Sequence, residues 1–140
     1  MMPKPSLWMI WLSLLYLLVS ATAGGVILVH KAVDIHPVIW SFLPIHYELA
    51  IWGWLVQFVM GTAYWMFPKY VNGKRRGSVA MAWGMVFVFN MGLSILVLSM
   101  LYRMEPLYII AGRCLLVISV ITFSLLMWRR VVSYRELTER

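Results

Sequence analysis

Five side chains stand out against an otherwise apolar background: His46, Glu48, Gln57, Asn90 and Arg113. Each falls within a long hydrophobic stretch, where a polar or ionisable group is expensive and calls for a reason. The stretch that follows His46 is patterned. At about 100° per residue, Gly53 and Gln57 lie about 20° to either side of His46, Met60 about 40° and Gly61 about 60° away, and Tyr64 returns to the same angle. These residues therefore share one helix face. An imidazole followed along its own face by two glycines suits a flat macrocycle. The neutral ring nitrogen can take an axial position on haem iron, and the glycines let the ring approach the backbone. The same glycines equally suit close packing against a neighbouring helix, with His46 as an interfacial histidine. Both readings stand on the pattern alone.

Arg113 lies about two turns inside its own stretch, at the same end as His46, where its guanidinium could hold the two propionates of a haem. Glu48 competes for it. At about 200° from His46, Glu48 points away from the glycine face, and a Glu48–Arg113 ion pair would satisfy both groups with no ligand. A second axial ligand could come from His36 or His30 in the preceding loop, from Met91, Met100 or Met104, or from a second copy of the chain. A quinone site at the same mouth, built from His46, Glu48, Trp52 and Arg113, is a further reading. Paired carboxylates, a nucleophile elbow, a phosphate loop and a twin-cysteine motif are all missing from the sequence. Asp34, His36 and Glu48 are too scattered to make a persuasive metal site. Cys114, the single cysteine, supplies neither a disulfide nor a zinc site and reads as a packing residue.

The elements that must position these groups follow from composition. With 63% hydrophobic and only 12% charged residues in 140, and a mean hydropathy of +0.84, the chain falls far below the roughly 25% charge of soluble domains. Lipid or other membrane subunits must solvate it. Four apolar runs, about residues 7–29, 46–67, 78–101 and 107–128, are each long enough at ~1.5 Å per residue to cross ~30 Å of hydrocarbon. Pro37, Pro44, Pro68, Gly73, Gly77 and Pro106 punctuate their ends. Trp8, Trp11, Trp40, Trp65, Tyr70, Tyr102, Tyr108 and Trp128 cluster near those ends, as interfacial aromatics do. The expectation is an all-α, integral membrane four-helix bundle forming a single transmembrane domain over residues 1–140.

The basic residues set its orientation. Lys4, then Lys69, Lys74, Arg75 and Arg76, then Arg129, Arg130, Arg135 and Arg140 fall on one side, whereas only Lys31 and Arg103 fall on the other. The positive-inside rule places both termini in the cytoplasm and the chain in the inner (plasma) membrane. Because these charges occupy the gaps between apolar runs, the net charge of +7 implies no nucleic-acid partner. Lys4, the run Leu7 to Val19 and the small residues Ser20 to Ala23 imitate a cleavable leader. The apolar run continues through Val29, however, which makes an uncleaved first span the expectation.

The string from His46 through Gly53-Trp54 and Gly61 to Tyr64-x-x-x-Pro68 resembles a helix of subunit I of the haem–copper oxidase and nitric oxide reductase superfamily. A histidine, Gly-Trp or Gly-Phe seven residues later, another glycine and a Tyr-x-x-x-Pro ending recur there, with looser likeness in the third and fourth spans. The resemblance implies that His46 is an axial haem ligand. Small relatives often carry a second histidine two positions on, where this chain has Glu48. A full subunit I has many more spans and further histidines, so a chain with 3 histidines is not a complete dioxygen-reducing centre.

The expectation is thus a haem-binding membrane subunit that transfers electrons within a respiratory or related redox complex. Haem b would be held by His46, with Gly53, Gly61 and Tyr64 lining the ring and Arg113 on the propionates. Its partners would be the lipid bilayer, other membrane subunits or a second copy, and a quinone or cytochrome redox partner. The rival reading is a non-catalytic structural or assembly subunit. In that case Gly53, Gly61, Gly84 and Gly92 are helix contacts and Glu48–Arg113 is an internal pair.

Overall fold

The computed structural model describes residues 2–67 and 78–138, with side chains as far as residue 131. Pro68, Gly73 and Gly77, the loop cations Lys69, Lys74, Arg75 and Arg76, and also Tyr70 and Arg140, lie outside the described residues. So does the side chain of Arg135.

Helix α1 runs from Lys4 to Val33, overrunning the expected span at both ends. Pro5 sits in its first turn, where the missing N–H is no loss. It stops at Asp34, whose φ of 49° reverses the chain while its N–H bonds the His30 carbonyl at 2.7 Å. A 3-10 turn, Pro37–Ser41, leads directly into α2, Phe42–Glu48. A π-helical segment, Leu49–Val56, and then α3, Gln57–Met66, continue the same rod. Phe67 turns extended at ψ 144°, the conformation that the following proline favours. After the undescribed loop, Ser78 caps α4, Val79–Leu101, by accepting the Met81 N–H at 3.2 Å. A turn with Arg103 at φ 49° leads to α5, Pro106–Thr138.

All described regular structure is helical, and four helices are long and apolar enough to cross a membrane. Their outward faces are apolar, with Leu18, Leu28, Phe87, Leu107 and Trp128 largely exposed, which suits contact with lipid. Trp8, Trp11, Trp40, Trp65, Tyr102 and Tyr108 are likewise exposed near the helix ends. The α2–π–α3 rod packs along α1, and α4 packs along α5, whereas α1 and α4 touch little. Met60, Tyr64, Met85, Phe89, Leu93 and Leu116 fill the core between the pairs.

The π segment departs from the uniform 100° periodicity expected for the second span. Ile45, Leu49, Gly53 and Gln57 are all buried at four-residue spacing. On an α-helix that spacing drifts by about 40° per step. The wider winding, with the Gln57 N–H bonding the Trp52 carbonyl five residues back, keeps the row facing its neighbours.

Glycines set the helix spacing. At the α4–α5 crossing, a methyl group on Gly92 would sit 2.8 Å from Leu115 Cβ and 2.9 Å from the Gly112 carbonyl oxygen, and one on Gly112 would meet the Gly92 oxygen at 2.9 Å. Gly84, by contrast, faces open space. Gly92→Ala and Gly112→Ala should each lose about 1–3 kcal/mol through overpacking. Gly84→Ala should gain up to about 1 kcal/mol from helix propensity. Unfolding in detergent micelles checks the contrast, and equal effects at positions 84 and 92 would refute a backbone contact.

Candidate functional site

His46 and Ser20 bind each other reciprocally. The buried Ser20 on α1 donates its hydroxyl to the His46 carbonyl at 3.0 Å, and His46 Nδ1 lies 2.8 Å from the Ser20 carbonyl oxygen. The Ser20 hydroxyl oxygen lies 3.1 Å from the same nitrogen. A carbonyl only accepts, so the 2.8 Å contact calls for a proton on Nδ1, and in that tautomer the lone pair is on Nε2. The ring lies across Gly24, where a methyl group would be 2.7 Å from Cε1 and 3.3 Å from Nε2. The next residue, Gly25, faces open space. Gly24, Gly25 and His46, with Ala21, Leu43 and Tyr47, line a groove of about 480 Å³ on the outside of the α1–α2 pair.

Gly53, Gly61 and Tyr64 do share a buried side, as their spacing implies, and helix neighbours occupy it. A methyl group on Gly53 would meet the Tyr16 side chain at 2.9 Å, and one on Gly61 would meet Met9 Cβ at 3.0 Å and the Ser6 carbonyl at 3.3 Å. Tyr64 is almost wholly buried, its carbonyl accepts from Arg130 Nη1 at 3.0 Å, and the Arg130 guanidinium lies 4.2 Å above its ring. A macrocycle has no room along this strip.

Arg113 Nη2 pairs with Glu48 Oε1 at 3.0 Å, with the arginine side chain 60% exposed and the carboxylate 14%. The geometry therefore supplies the internal pair weighed above as one of two alternatives. Trp52 packs against the core. His36 is exposed. Its backbone N–H donates to His30 Nδ1 at 3.3 Å and its own Nδ1 accepts from the Val38 N–H at 3.2 Å. His30 is buried, edge-on to Trp40, with Nε2 turned toward Asp34 at 3.8 Å. Among the described residues, no three His, Cys, Asp or Glu side chains gather as a metal site. Cys114 is exposed.

Deeper in the bundle, Tyr16 donates its hydroxyl to Asn90 Oδ1 at 3.0 Å. Gln57 donates its amide to the same oxygen at 3.3 Å, and Asn90 Nδ2 donates to the Val86 carbonyl. Gln57 is fully buried and its Oε1 receives no donor. Sequence reasoning singled out Gln57 and Asn90 without joining them. It missed Tyr16, Ser20, Gly24 and Arg130. The spacing of four between Ser20 and Gly24 was a signal, hidden inside a string that resembles a leader cleavage site.

Fold and site together define an all-helical protein with four potential membrane spans and a tautomer-fixed histidine at an outward groove. Comparison with known proteins finds no matching family model, no similar curated protein and no similar solved structure. Nothing in these comparisons links the chain to subunit I of the haem–copper oxidase and nitric oxide reductase superfamily.

Ser20→Ala removes one hydrogen bond between helices and should lower stability by about 1 kcal/mol. In the wild type, ¹⁵N NMR of His46 should show a protonated Nδ1 and a bare Nε2. A proton on Nε2 would refute the assignment.

Proposed function

We propose that the chain is a multi-pass protein of the plasma (inner) membrane, with both termini cytoplasmic, that binds haem b through His46 as a subunit of an electron-transferring membrane complex. Four long apolar helices and the bias of basic residues to one side support the placement. The haem reading is carried by one observation: the Ser20 carbonyl takes Nδ1–H and leaves Nε2 as the basic nitrogen. Ligating histidines are oriented in this way by a partner outside the metal's own shell.

The ring's place differs from the one the sequence pattern implied. Gly25 leaves the open space that Gly53 and Gly61 give up to α1, and Gly24 makes room for the imidazole itself. Tyr64 and Arg113, engaged with Arg130 and Glu48, take no part in this seat. Leu43 and Tyr47 line the groove. Bound haem supplies one-electron chemistry, whose potential its ligands and burial tune. No second histidine lines the groove among the described residues, so a further ligand belongs to a second copy or a partner subunit.

Protein purified from haem-replete cells should show a redox-sensitive Soret band and a pyridine haemochrome of b type. His46→Ala should abolish both. Gly25→Leu, whose Cβ would meet nothing within 4 Å and whose branch would fill the groove, should do the same without loss of stability. Colourless wild-type protein, or a Soret band that survives Gly25→Leu, would refute the proposal.

A second reading, the non-catalytic structural subunit, is favoured by the Glu48–Arg113 pair, which is complete without any ligand. Colourless protein that co-purifies with a larger membrane assembly would support it. The placement has its own check. In a Cys114→Ser background, Asp34→Cys should react with a membrane-impermeant maleimide added to intact cells, whereas Lys4→Cys should react only after lysis. The reverse pattern would invert the topology.

A further inference from the structure

Arg113 and Glu48 neutralise one another, yet as a set of hydrogen bonds their pair is unfinished. A guanidinium carries N–H donors on every nitrogen, and the single contact from Nη2 to Glu48 Oε1 leaves most of them without an acceptor among the described residues. The same contact occupies only one oxygen of the carboxylate. Both groups keep an open side, the arginine side chain at 60% exposure and the glutamate at 14%. That side faces outward from the bundle, because Ile110 and Val117, which flank Arg113 on the same face of α5, are themselves largely exposed. Arg113 lies about 10 Å from Pro106, the start of α5. A helical side chain leans toward the N-terminus of its helix, so the guanidinium reaches up toward the level at which hydrocarbon gives way to headgroups.

We infer that this pair binds a zwitterionic phospholipid with a primary amine, phosphatidylethanolamine, its phosphate on Arg113 and its ammonium on Glu48. Guanidinium donors match phosphate oxygens as a fork, and a phosphate is the anion that the lipid boundary itself provides. Glu48 selects the rest of the headgroup. An ammonium can donate to the remaining carboxylate oxygen, whereas a choline headgroup has no N–H to give. A glycerol headgroup would bring a net negative charge to a pair that is already neutral, with a carboxylate beside it to repel that charge. The zwitterion answers both charges and leaves their sum at zero. The inference rests on the membrane placement proposed above, which the maleimide labelling tests on its own, and is independent of haem.

Native mass spectrometry of the full chain, released from nanodiscs of equal parts phosphatidylethanolamine, phosphatidylcholine and phosphatidylglycerol, tests the assignment by the lipid that stays bound. One phosphatidylethanolamine per chain is expected, retained about tenfold over phosphatidylcholine. Arg113→Gln should cut that retention about tenfold, whereas Arg103→Gln, in the exposed turn that leads into the same helix, should leave it unchanged. Arg113→Lys keeps the charge without the fork and should cut retention about threefold, which gives the reading if Arg113→Gln proves unstable. Glu48→Gln leaves the guanidinium unbalanced and should turn the preference to phosphatidylglycerol. Absence of retained lipid, a wild-type preference for phosphatidylglycerol, or retention unaltered in Arg113→Gln would each overturn the assignment.

Discussion

Helices whose outward faces are as apolar as lipid have no hydrophobic reason to prefer one another. What holds such a bundle together is close backbone approach and hydrogen bonds from one helix to the next. This chain uses both. Gly92 against Gly112 joins α4 to α5, while Gly53 against Tyr16 and Gly61 against Met9 join the second rod to α1. The polar links are few and specific: Ser20 with His46, Tyr16 and Gln57 on Asn90, and Ser119 on the Met85 carbonyl. Interhelical bonds of this kind average only about 0.6 kcal/mol in membrane proteins. Their value here is in register more than in total stability, because each fixes one helix at one height against its neighbour.

Two arginines show the same logic at longer reach. Arg113 crosses from α5 to Glu48 on α2, and Arg130 crosses from α5 to the Tyr64 carbonyl and ring on α3. They lie about 25 Å apart along α5 and so pin it to the second rod at both ends. The exposed Glu48–Arg113 pair contributes little on its own in water. The buried Arg130 is the stronger constraint, since a guanidinium withdrawn from solvent must keep its partners.

The four long apolar helices were legible in the sequence, because span length and charge-free composition are properties of contiguous stretches, although the second rod begins at Pro37 and the fourth helix runs on to Thr138, well beyond the expected 46 and 128. The site was legible only in part. His46 was picked out by its type and depth, and the buried side of Gly53, Gly61 and Tyr64 by its spacing. What covers that side depends on which helix arrives there, and no pattern within one span carries that information. The π segment compounded the difficulty. Its four-residue row, Ile45 to Gln57, reads as drifting on an α-helical wheel and is aligned only in the wider winding. Arg130 was hidden for a different reason: counted with the tail cations, it looked like a marker of sidedness, yet the helix carries it into the bundle.

Packing also decides where chemistry remains possible. Every glycine contact that closes one face forecloses a ligand there, so the open positions are those the packing leaves unused. They sit along α1, the least buried of the four spans: Gly25 beside His46 on one face, and the apolar hollow against Tyr16 on another. The π segment belongs to this arrangement. By keeping Leu49 in line with Gly53 and Gln57, it sets an apolar side chain against the hollows beside α1 and an amide against Asn90. A regular α-helix over the same residues would rotate Gln57 away from Asn90.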